Sequence, residues 1–257
     1  MQCRDIVQLL DKQSPPEYAL EWDNVGLLVG HMDSEIKKIL VAVDATADVV
    51  KKAVDDGYDM IVTHHPVIFG KIKNINDSTV LGQKLLALTE NHIACYAMHT
   101  NFDTKGGMAK LAANILELKN QEVLEETFQG EGVGRIGFLD KALNIEELAK
   151  KVKKKFGLKN VIVYGDKGLV VDKVAISPGS GKSVISEAVK KGVECLITGD
   201  IGHHEGIDSV DMGLSIIDAS HYGIEKIFME YICKYIKDFY PDAEVTSFDV
   251  GVPYEVI

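Results

Sequence analysis

The chain has 257 residues, of which 46% are hydrophobic and 26% are charged, and its formal net charge is −11. A chain of this length and apolar content can bury one large core or two smaller ones, which excludes a wholly disordered protein. The acidic balance argues against nucleic acid or an anionic membrane as the main partner, because both require a basic surface.

The distribution of cysteines and apolar residues narrows the class of protein further. The four cysteines are scattered without a Cys-x-x-Cys pair, which argues against a thiol-rich metal site or a disulfide framework. The first 20 residues lack the hydrophobic stretch of a signal peptide, and no apolar run approaches the roughly 18 residues that a membrane-spanning helix needs. We therefore expect a cytoplasmic protein that does not bind membranes.

The first predicted elements belong to a segment that the chain repeats. Residues 39–63 (ILVAVDATADVVKKAVDDGYDMIVT) and 174–198 (VAISPGSGKSVISEAVKKGVECLIT) both follow the order strand, helix, strand. Matching apolar positions recur at an offset of 135, and Gly57 and Gly192 end the two helices. The last run of each copy is continuously apolar, which is typical of a buried parallel strand. Each copy is therefore predicted to be a βαβ unit.

Each copy then continues toward a further strand. A helix at 81–89 and a strand at 93–98 follow the first copy, and a strand at 214–219 follows the second. The sequence thus predicts an α/β protein with two structurally related domains, each a mixed sheet flanked by helices. We place the domain boundary near residue 126, before a glycine-rich stretch. The predicted domains are 1–125 with 221–257, and 126–220.

Two more helices have clear signals. In the helix at 144–155, Asn144 is the predicted N-cap, Glu147 occupies the capping-box position and Gly157 lies just past the end. A final amphipathic helix is predicted at 221–240, ending at Pro241, and we expect it to pack on the first domain.

Two adjacent histidines follow the second predicted strand of the first copy. The run MIVTHHP places His64 and His65 at the carboxyl edge of a parallel strand, where open α/β sheets form their ligand sites. Because Pro66 prevents regular continuation of the strand, both imidazoles can turn toward one cleft. The alternative interpretation is one histidine packed in the core and one in solvent.

The next strand ends in YAMHTNFDT and brings His99 and Asp103 to the same edge. An aspartate can bridge two cations through its two oxygens, so Asp103 is the candidate shared ligand. Alternatively, Asp103 caps the following helix through Lys105 and Gly106.

His221 and Glu225 lie four residues apart at the start of the last helix, and therefore on one helical face. Since that face is apolar, the glutamate is expected to be buried, where it must be paired or must ligate a cation. The alternative is a simple His/Glu pair on the surface.

Together these five residues are three imidazoles and two carboxylates, without a thiolate. Such donors suit two divalent ions per chain, of Zn, Fe, Mn or Co. Two adjacent ions lower the pKa of a shared water, hold a substrate oxygen and leave positive charge for an anionic substrate, which is the basis of metal-assisted hydrolysis.

In the second copy, the segment that matches THH reads TGD and is followed by IGHHEG. The histidine pair is lost there, so the second half is not expected to hold its own centre. Asp200, His203, His204 and Glu205 can instead act as acid, base or substrate contacts, or can form a solvated polar loop. His99, His204 and Glu205 are the candidate catalytic residues.

Residues 177–183 (SPGSGKS) look like a phosphate loop but depart from its pattern, because Ile176 occupies the position where a Walker motif needs glycine. The repeat explains the segment as a strand-to-helix turn, whose free amides can still bind an anion.

Five segments in the same order resemble the GTP cyclohydrolase 1 type 2 homologues, also called Nif-three-like proteins. They are EWDNVGLLVG (21–30), VTHHPVIF (62–69), MHTNFD (98–103), TGDIGHHE (198–205) and SHYGIEK (220–226). The resemblance covers nearly the whole chain, in the short form without an inserted domain. It implies two α/β domains with similar sheets and a toroidal homohexamer, a trimer of dimers. It also implies a dinuclear metal centre whose ligands match His64, His65, Asp103, His221 and Glu225.

The N-terminal signature of this family matches Trp22, Asp23, Asn24 and Gly26. Two interpretations apply to these residues, because they can form a structural loop or contact the substrate. For function, we expect a metal-dependent hydrolase acting on a small nucleotide-like or phosphorylated substrate, with GTP ring opening as the named instance. The alternative is a non-catalytic hexamer that stores or delivers metal, or that binds a cofactor or a partner. DNA threading through a ring is disfavoured by the acidic charge.

Overall fold

A computed structural model describes residues 1–105 and 107–256 of the chain. The helices within these residues are α1 (Cys3–Gln13), α2 (Ala47–Asp55), α3 (Val80–Glu90), α4 (Thr100–Thr104), α5 (Met108–Ile115), α6 (Ile145–Phe156), α7 (Ile185–Lys190), α8 (His203–Asp211), α9 (His221–Glu225) and α10 (Ile227–Phe239). The strands are β1 (Gly26–Val29), β2 (Lys38–Ala42), β3 (Met60–Thr63), β4 (Ala94–Ala97), β5 (Lys119–Phe128), β6 (Glu131–Asn144), β7 (Ile162–Tyr164), β8 (Val170–Ser180), β9 (Cys195–Gly199), β10 (Ser215–Asp218) and β11 (Glu244–Ser247).

The chain forms two compact units. Unit 1 comprises Met1–Lys105 and Phe228–Gly251, and unit 2 comprises Gly106–Ile227 and Val252–Ile257. These limits differ from the predicted domains, 1–125 with 221–257 and 126–220. The difference at the first boundary arises because α5 contributes Ala112 and Ala113 to a core of unit 2 and β5 then pairs along its length with β6, so the chain enters unit 2 before the glycine-rich stretch.

Unit 1 is built on a five-stranded sheet with the order β1-β4-β3-β2-β11. Strands β2, β3, β4 and β11 are parallel, and β1 runs antiparallel along β4 at one edge. The register places Ala42 opposite Thr63, and Thr63 opposite Ala97. The three central strands therefore end at the same level, and the residues that follow them emerge side by side.

Unit 2 contains a six-stranded sheet with the order β5-β6-β8-β9-β10-β7. Its parallel strands β8, β9 and β10 match β2, β3 and β4, and β7 lies antiparallel on β10 as β1 lies on β4. Side chains alternate between two cores, so that Val174 and Ile176 face one and Ala175 faces the other. The predicted fold class, two related α/β units with mixed sheets, is confirmed.

The local predictions largely agree with these elements. The sequence correctly places α3, β4, β10 and α6, and Asn144 and Glu147 form the predicted capping box of α6, with Gly157 in the left-handed conformation at its end. The single helix predicted at 221–240 is wrong, because the structure has two helices, α9 ending at Glu225 and α10 beginning at Ile227. None of the helices within the described ranges has the length and apolar character needed to cross a bilayer.

Candidate metal centre

Three histidines form a cluster at the carboxyl edge of the unit 1 sheet. His64 and His65 follow β3, and His99 follows β4. One ring nitrogen from each lies within 4.8 Å of those of the other two, and the ring centroids are 4.9 to 5.3 Å apart. The rings of His64 and His65 thus turn the same way, although neighbouring residues in a regular strand point to opposite faces.

The hydrogen bonds of this cluster determine which nitrogen of each ring can bind a ligand. His64 Nδ1 donates to the carbonyl oxygen of Met98 at 2.7 Å, since a carbonyl can only accept. His65 Nδ1 lies 2.9 Å from Asp44 Oδ1, and His99 Nδ1 lies 2.8 Å from Asp23 Oδ1. Because each Nδ1 faces an oxygen acceptor, Nε2 is the atom with which each ring would bind an ion. An oxygen partner behind a histidine is the usual support for a metal ligand.

Asp23 is the most strongly anchored of these partners. Its fully buried carboxylate accepts hydrogen bonds from His99 Nδ1, from Thr100 N at 3.0 Å and from Thr100 Oγ1 at 2.5 Å. Burial raises the pKa of Asp23, but these hydrogen bonds outweigh it and lower the pKa to about 2. Asp23 is therefore ionised at neutral pH and fixes both the ring of His99 and the start of α4.

Asp103 joins the cluster from α4. Its Oδ1 lies 3.7 Å from His64 Nε2, and a quarter of its side chain is exposed. One ion can bond to both atoms at this separation, because metal bonds to nitrogen and oxygen are each about 2.1 Å long. In the alternative interpretation Asp103 caps the next helix through Lys105 and Gly106, and Gly106 lies outside the described residues.

Unit 2 presents the second predicted pair of ligands. His221 Nε2 lies 3.1 Å from Glu225 Oε2, and His221 Nδ1 lies 2.7 Å from Asp200 Oδ2. Glu225 is buried, with 3% of its side chain exposed, so the simple surface pair is wrong for it. Burial lowers the pKa of His221, but the bonds to Glu225 and Asp200 outweigh it and raise the pKa to about 9.

Two glycines make room for this pair. A Cβ on Gly179 would lie 2.6 Å from Glu225 Oε1, and a Cβ on Gly199 would lie 2.3 Å from the backbone nitrogen of His221. Gly179 also has a φ of +73°, which glycine adopts without cost. The segment that looks like a phosphate loop therefore forms the wall against which the carboxylate of Glu225 lies.

The backbone before His221 is strained and held by one buried aspartate. Ser220 has a φ of +60° and a ψ of 154°, a combination that costs a non-glycine residue about 1 to 3 kcal/mol. The carboxylate of Asp218 accepts hydrogen bonds from Ser220 N at 2.8 Å and from Ile201 N at 2.9 Å. Asp218 thus joins the ends of β9 and β10 and determines where α9 begins.

The remaining predicted catalytic residues, His204 and Glu205, lie in the first turn of α8. The solvated loop considered for them is wrong, because these residues are helical. His204 is exposed, and Glu205 is partly buried with its carboxylate close to Gly202. Of the three candidate catalytic residues, only His99 lies in the unit 1 cluster.

Sequence reasoning missed Asp23 and Asp44 as partners of the histidines, and missed Asp200 as the partner of His221. Asp44 had a usable signal, because it follows the end of β2 at the edge where β3 and β4 also end. Asp200 had the same kind of signal, because it directly follows the end of β9. Asp23 stood only in the family signature, and its hydrogen bond to His99, 76 positions away, leaves no periodic pattern.

Comparisons with known proteins agree with the fold. The sequence profile of Duf34/NIF3 (NGG1p interacting factor 3) matches residues 1–251. A Clostridium perfringens protein named GTP cyclohydrolase 1 type 2 homolog is 34% identical over 100% of both chains. A protein of the same name from Methanocaldococcus jannaschii is 34% identical over 97% of this chain and 100% of its own.

Solved structures show the same architecture. Reduced HcgD from Methanocaldococcus jannaschii has a TM-score of 0.86 at 33% identity and covers 97% of this chain and 98% of its own. A Bacillus cereus protein related to NIF3 has a TM-score of 0.90 at 22% identity, covering 100% and 99%, which shows the shared fold. The chain therefore belongs to the Duf34/NIF3 family.

Proposed function

We propose that the protein is a metal-dependent hydrolase that binds two divalent ions and acts on a small nucleotide-like or phosphorylated substrate. The observation that carries this proposal is the convergence of three imidazoles, those of His64, His65 and His99, with one ring nitrogen of each within 4.8 Å of the others and with each Nδ1 bonded to an oxygen. Histidines that only pack in a core do not need to converge as three rings, each with an oxygen partner at Nδ1.

The donor set fits such ions. The proposed ligands are those predicted from the sequence, namely His64, His65, Asp103, His221 and Glu225. Nitrogen and carboxylate donors suit Zn, Fe, Mn or Co, and the space at Gly179 accommodates the carboxylate of Glu225 where any side chain would displace it. When bound, a pair of divalent ions supplies Lewis acidity and lowers the pKa of water.

The protein's own groups supply the rest of the chemistry. His99 is proposed to move a proton, because Asp23 holds its Nδ1 and its ring centroid lies 5.2 to 5.3 Å from those of His64 and His65. Two divalent ions exceed the charge of the two ligating carboxylates, which favours an anionic substrate in an otherwise acidic protein.

Metal analysis followed by a turnover screen tests the proposal. Protein purified without metal-affinity chromatography is expected to contain two ions per chain by plasma mass spectrometry. His64→Ala and Glu225→Ala should each lower that content, whereas the exposed His31→Ala should retain it. His99→Ala should keep the metal and lose turnover.

The screen covers phosphoesters and nucleotides at neutral pH. A metal-loaded wild type that consumes no member of the panel would contradict the hydrolase and favour metal storage or delivery. The homohexamer, a trimer of dimers, is likewise a proposal, and analytical ultracentrifugation tests it by the mass of the assembly.

A further inference from the structure

Two large aromatic side chains are exposed beside the histidine cluster of unit 1. Trp22, the single tryptophan of the chain, is 61% exposed, and Phe69 is 57% exposed. Folding would gain free energy from burying either ring in a core. Exposed apolar surface that is gathered next to polar groups is typical of a binding site.

Both rings contact the same imidazole. The ring centroid of Trp22 lies 5.8 Å from that of His99 at an interplanar angle of 73°, and that of Phe69 lies 5.8 Å from it at 86°. Phe69 also lies 6.4 Å from His65. The two aromatic residues are therefore immediate neighbours of the histidines proposed to bind metal and to transfer protons.

Hydrogen bonds hold the two aromatic segments together. Asn24 Nδ2 donates to the carbonyl oxygen of Ile68 at 2.7 Å, which links the residues next to Trp22 with the residue before Phe69. Asp23, the neighbour of Trp22, is bonded to His99 and to Thr100. The backbone that carries each ring is thus positioned relative to the other and to His99, as a preorganised site requires.

We infer that Trp22 and Phe69 form a stacking site for the planar heteroaromatic ring of the substrate, a nucleobase. This inference rests on the proposed function and narrows its substrate class from nucleotide-like or phosphorylated compounds to compounds that carry a nucleobase. Stacking on exposed aromatic faces favours nucleobases over sugars, because every base has a π-face and an aliphatic sugar has none. The site would contact the base, and divalent ions held by the neighbouring ligands would supply the positive charge for the phosphate.

A pair of probes that differ only in the base tests this site. AMP and ribose 5-phosphate are titrated separately into the full-length, metal-loaded protein, and binding is followed by calorimetry and by the emission of Trp22. AMP should bind and change the emission, whereas ribose 5-phosphate should bind at least about tenfold more weakly. Equal affinities for the two probes, or no binding of AMP, would overturn the inference.

Variants separate stacking from other causes. Trp22→Leu and Phe69→Leu keep apolar bulk and should each weaken AMP binding about tenfold or more, with little effect on ribose 5-phosphate. Trp22→Tyr should restore most of the affinity. Phe239→Leu removes a comparably exposed ring, 52% exposed, elsewhere in unit 1 and should leave AMP binding unchanged.

The readouts distinguish failure of this inference from failure of the proposed function. Metal content and turnover report on the hydrolase, whereas AMP affinity in the leucine variants reports on stacking alone. Unchanged AMP affinity in both leucine variants, with thermal unfolding showing that they are folded, would overturn the stacking site. If the emission of Trp22 changes with protein concentration and not with AMP, the two rings lie in a contact between subunits. That result would also overturn the stacking site.

Discussion

Substitution of Gly179 by alanine should separate metal binding from protein stability. A Cβ at this position would lie 2.6 Å from Glu225 Oε1 and 3.6 Å from His221 Nε2. To restore a normal contact, the carboxylate of Glu225 would have to move by roughly 0.5 Å or more. Because Glu225 is buried and bonded to His221, that movement changes the position of a proposed metal ligand.

The magnitude has two separable parts. Gly179 has a φ of +73°, where alanine costs about 1 to 2 kcal/mol relative to glycine. Gly192 is a matched control, because its φ is +64° and an added Cβ would meet nothing within 4 Å. Both alanine variants should therefore lose a similar free energy of unfolding, and only Gly179→Ala should lose metal affinity, by roughly 10- to 100-fold.

Two measurements on the same preparations check this expectation. Urea unfolding of the metal-free proteins gives the stability loss, and competition with a chromogenic chelator gives the affinity for Zn²⁺. If Gly179→Ala binds Zn²⁺ as tightly as Gly192→Ala, Glu225 does not ligate the ion in the position that the structure shows. If only Gly179→Ala is destabilised, the cost comes from the contact and not from φ.

Three further predictions follow from the buried carboxylates and from His221. Asp23→Asn should lower the free energy of unfolding by about 2 kcal/mol at neutral pH. Since the folded pKa of Asp23 is lowered to about 2, this stabilisation should disappear as the pH falls from about 4 to about 2. A difference in unfolding free energy between wild type and Asp23→Asn that stays constant in urea across that pH range would contradict this. The raised pKa of His221, about 9, means that an ion must displace a proton from it. Calorimetry should therefore show proton release, with the apparent Zn²⁺ affinity rising about tenfold per pH unit below about pH 9, and an affinity independent of pH would refute this. Asp218→Ala leaves the buried amide of Ile201 and the partly buried amide of Ser220 without their acceptor and should lower the free energy of unfolding by about 1 to 3 kcal/mol. Asp211→Ala, at an exposed position, should cost little in the same assay.

Much of the fold was accessible from the sequence, because apolar periodicity and the internal repeat are local patterns. The βαβ units, the cap of α6 and the strand ends that carry His64, His65 and His99 all follow from the spacing of residues along the chain. The division of the last helix was not accessible, since the amphipathic pattern continues across the break after Glu225. The start of unit 2 before α5 was not accessible either, because it depends on the packing of Ala112 and Ala113 against distant residues of the unit 2 core.

The spacing of residues along the chain was enough to identify the side chains that reach one sheet edge, because parallel strands deliver the residues after them to that edge. The groups that support those side chains become visible only in the folded chain. The oxygens behind the three histidines come from Asp23, Asp44 and the Met98 carbonyl, and the space for Glu225 comes from Gly179. Contacts of this kind depend on how distant segments meet in space, and a hydrogen bond or a missing Cβ leaves no periodic signal in the chain.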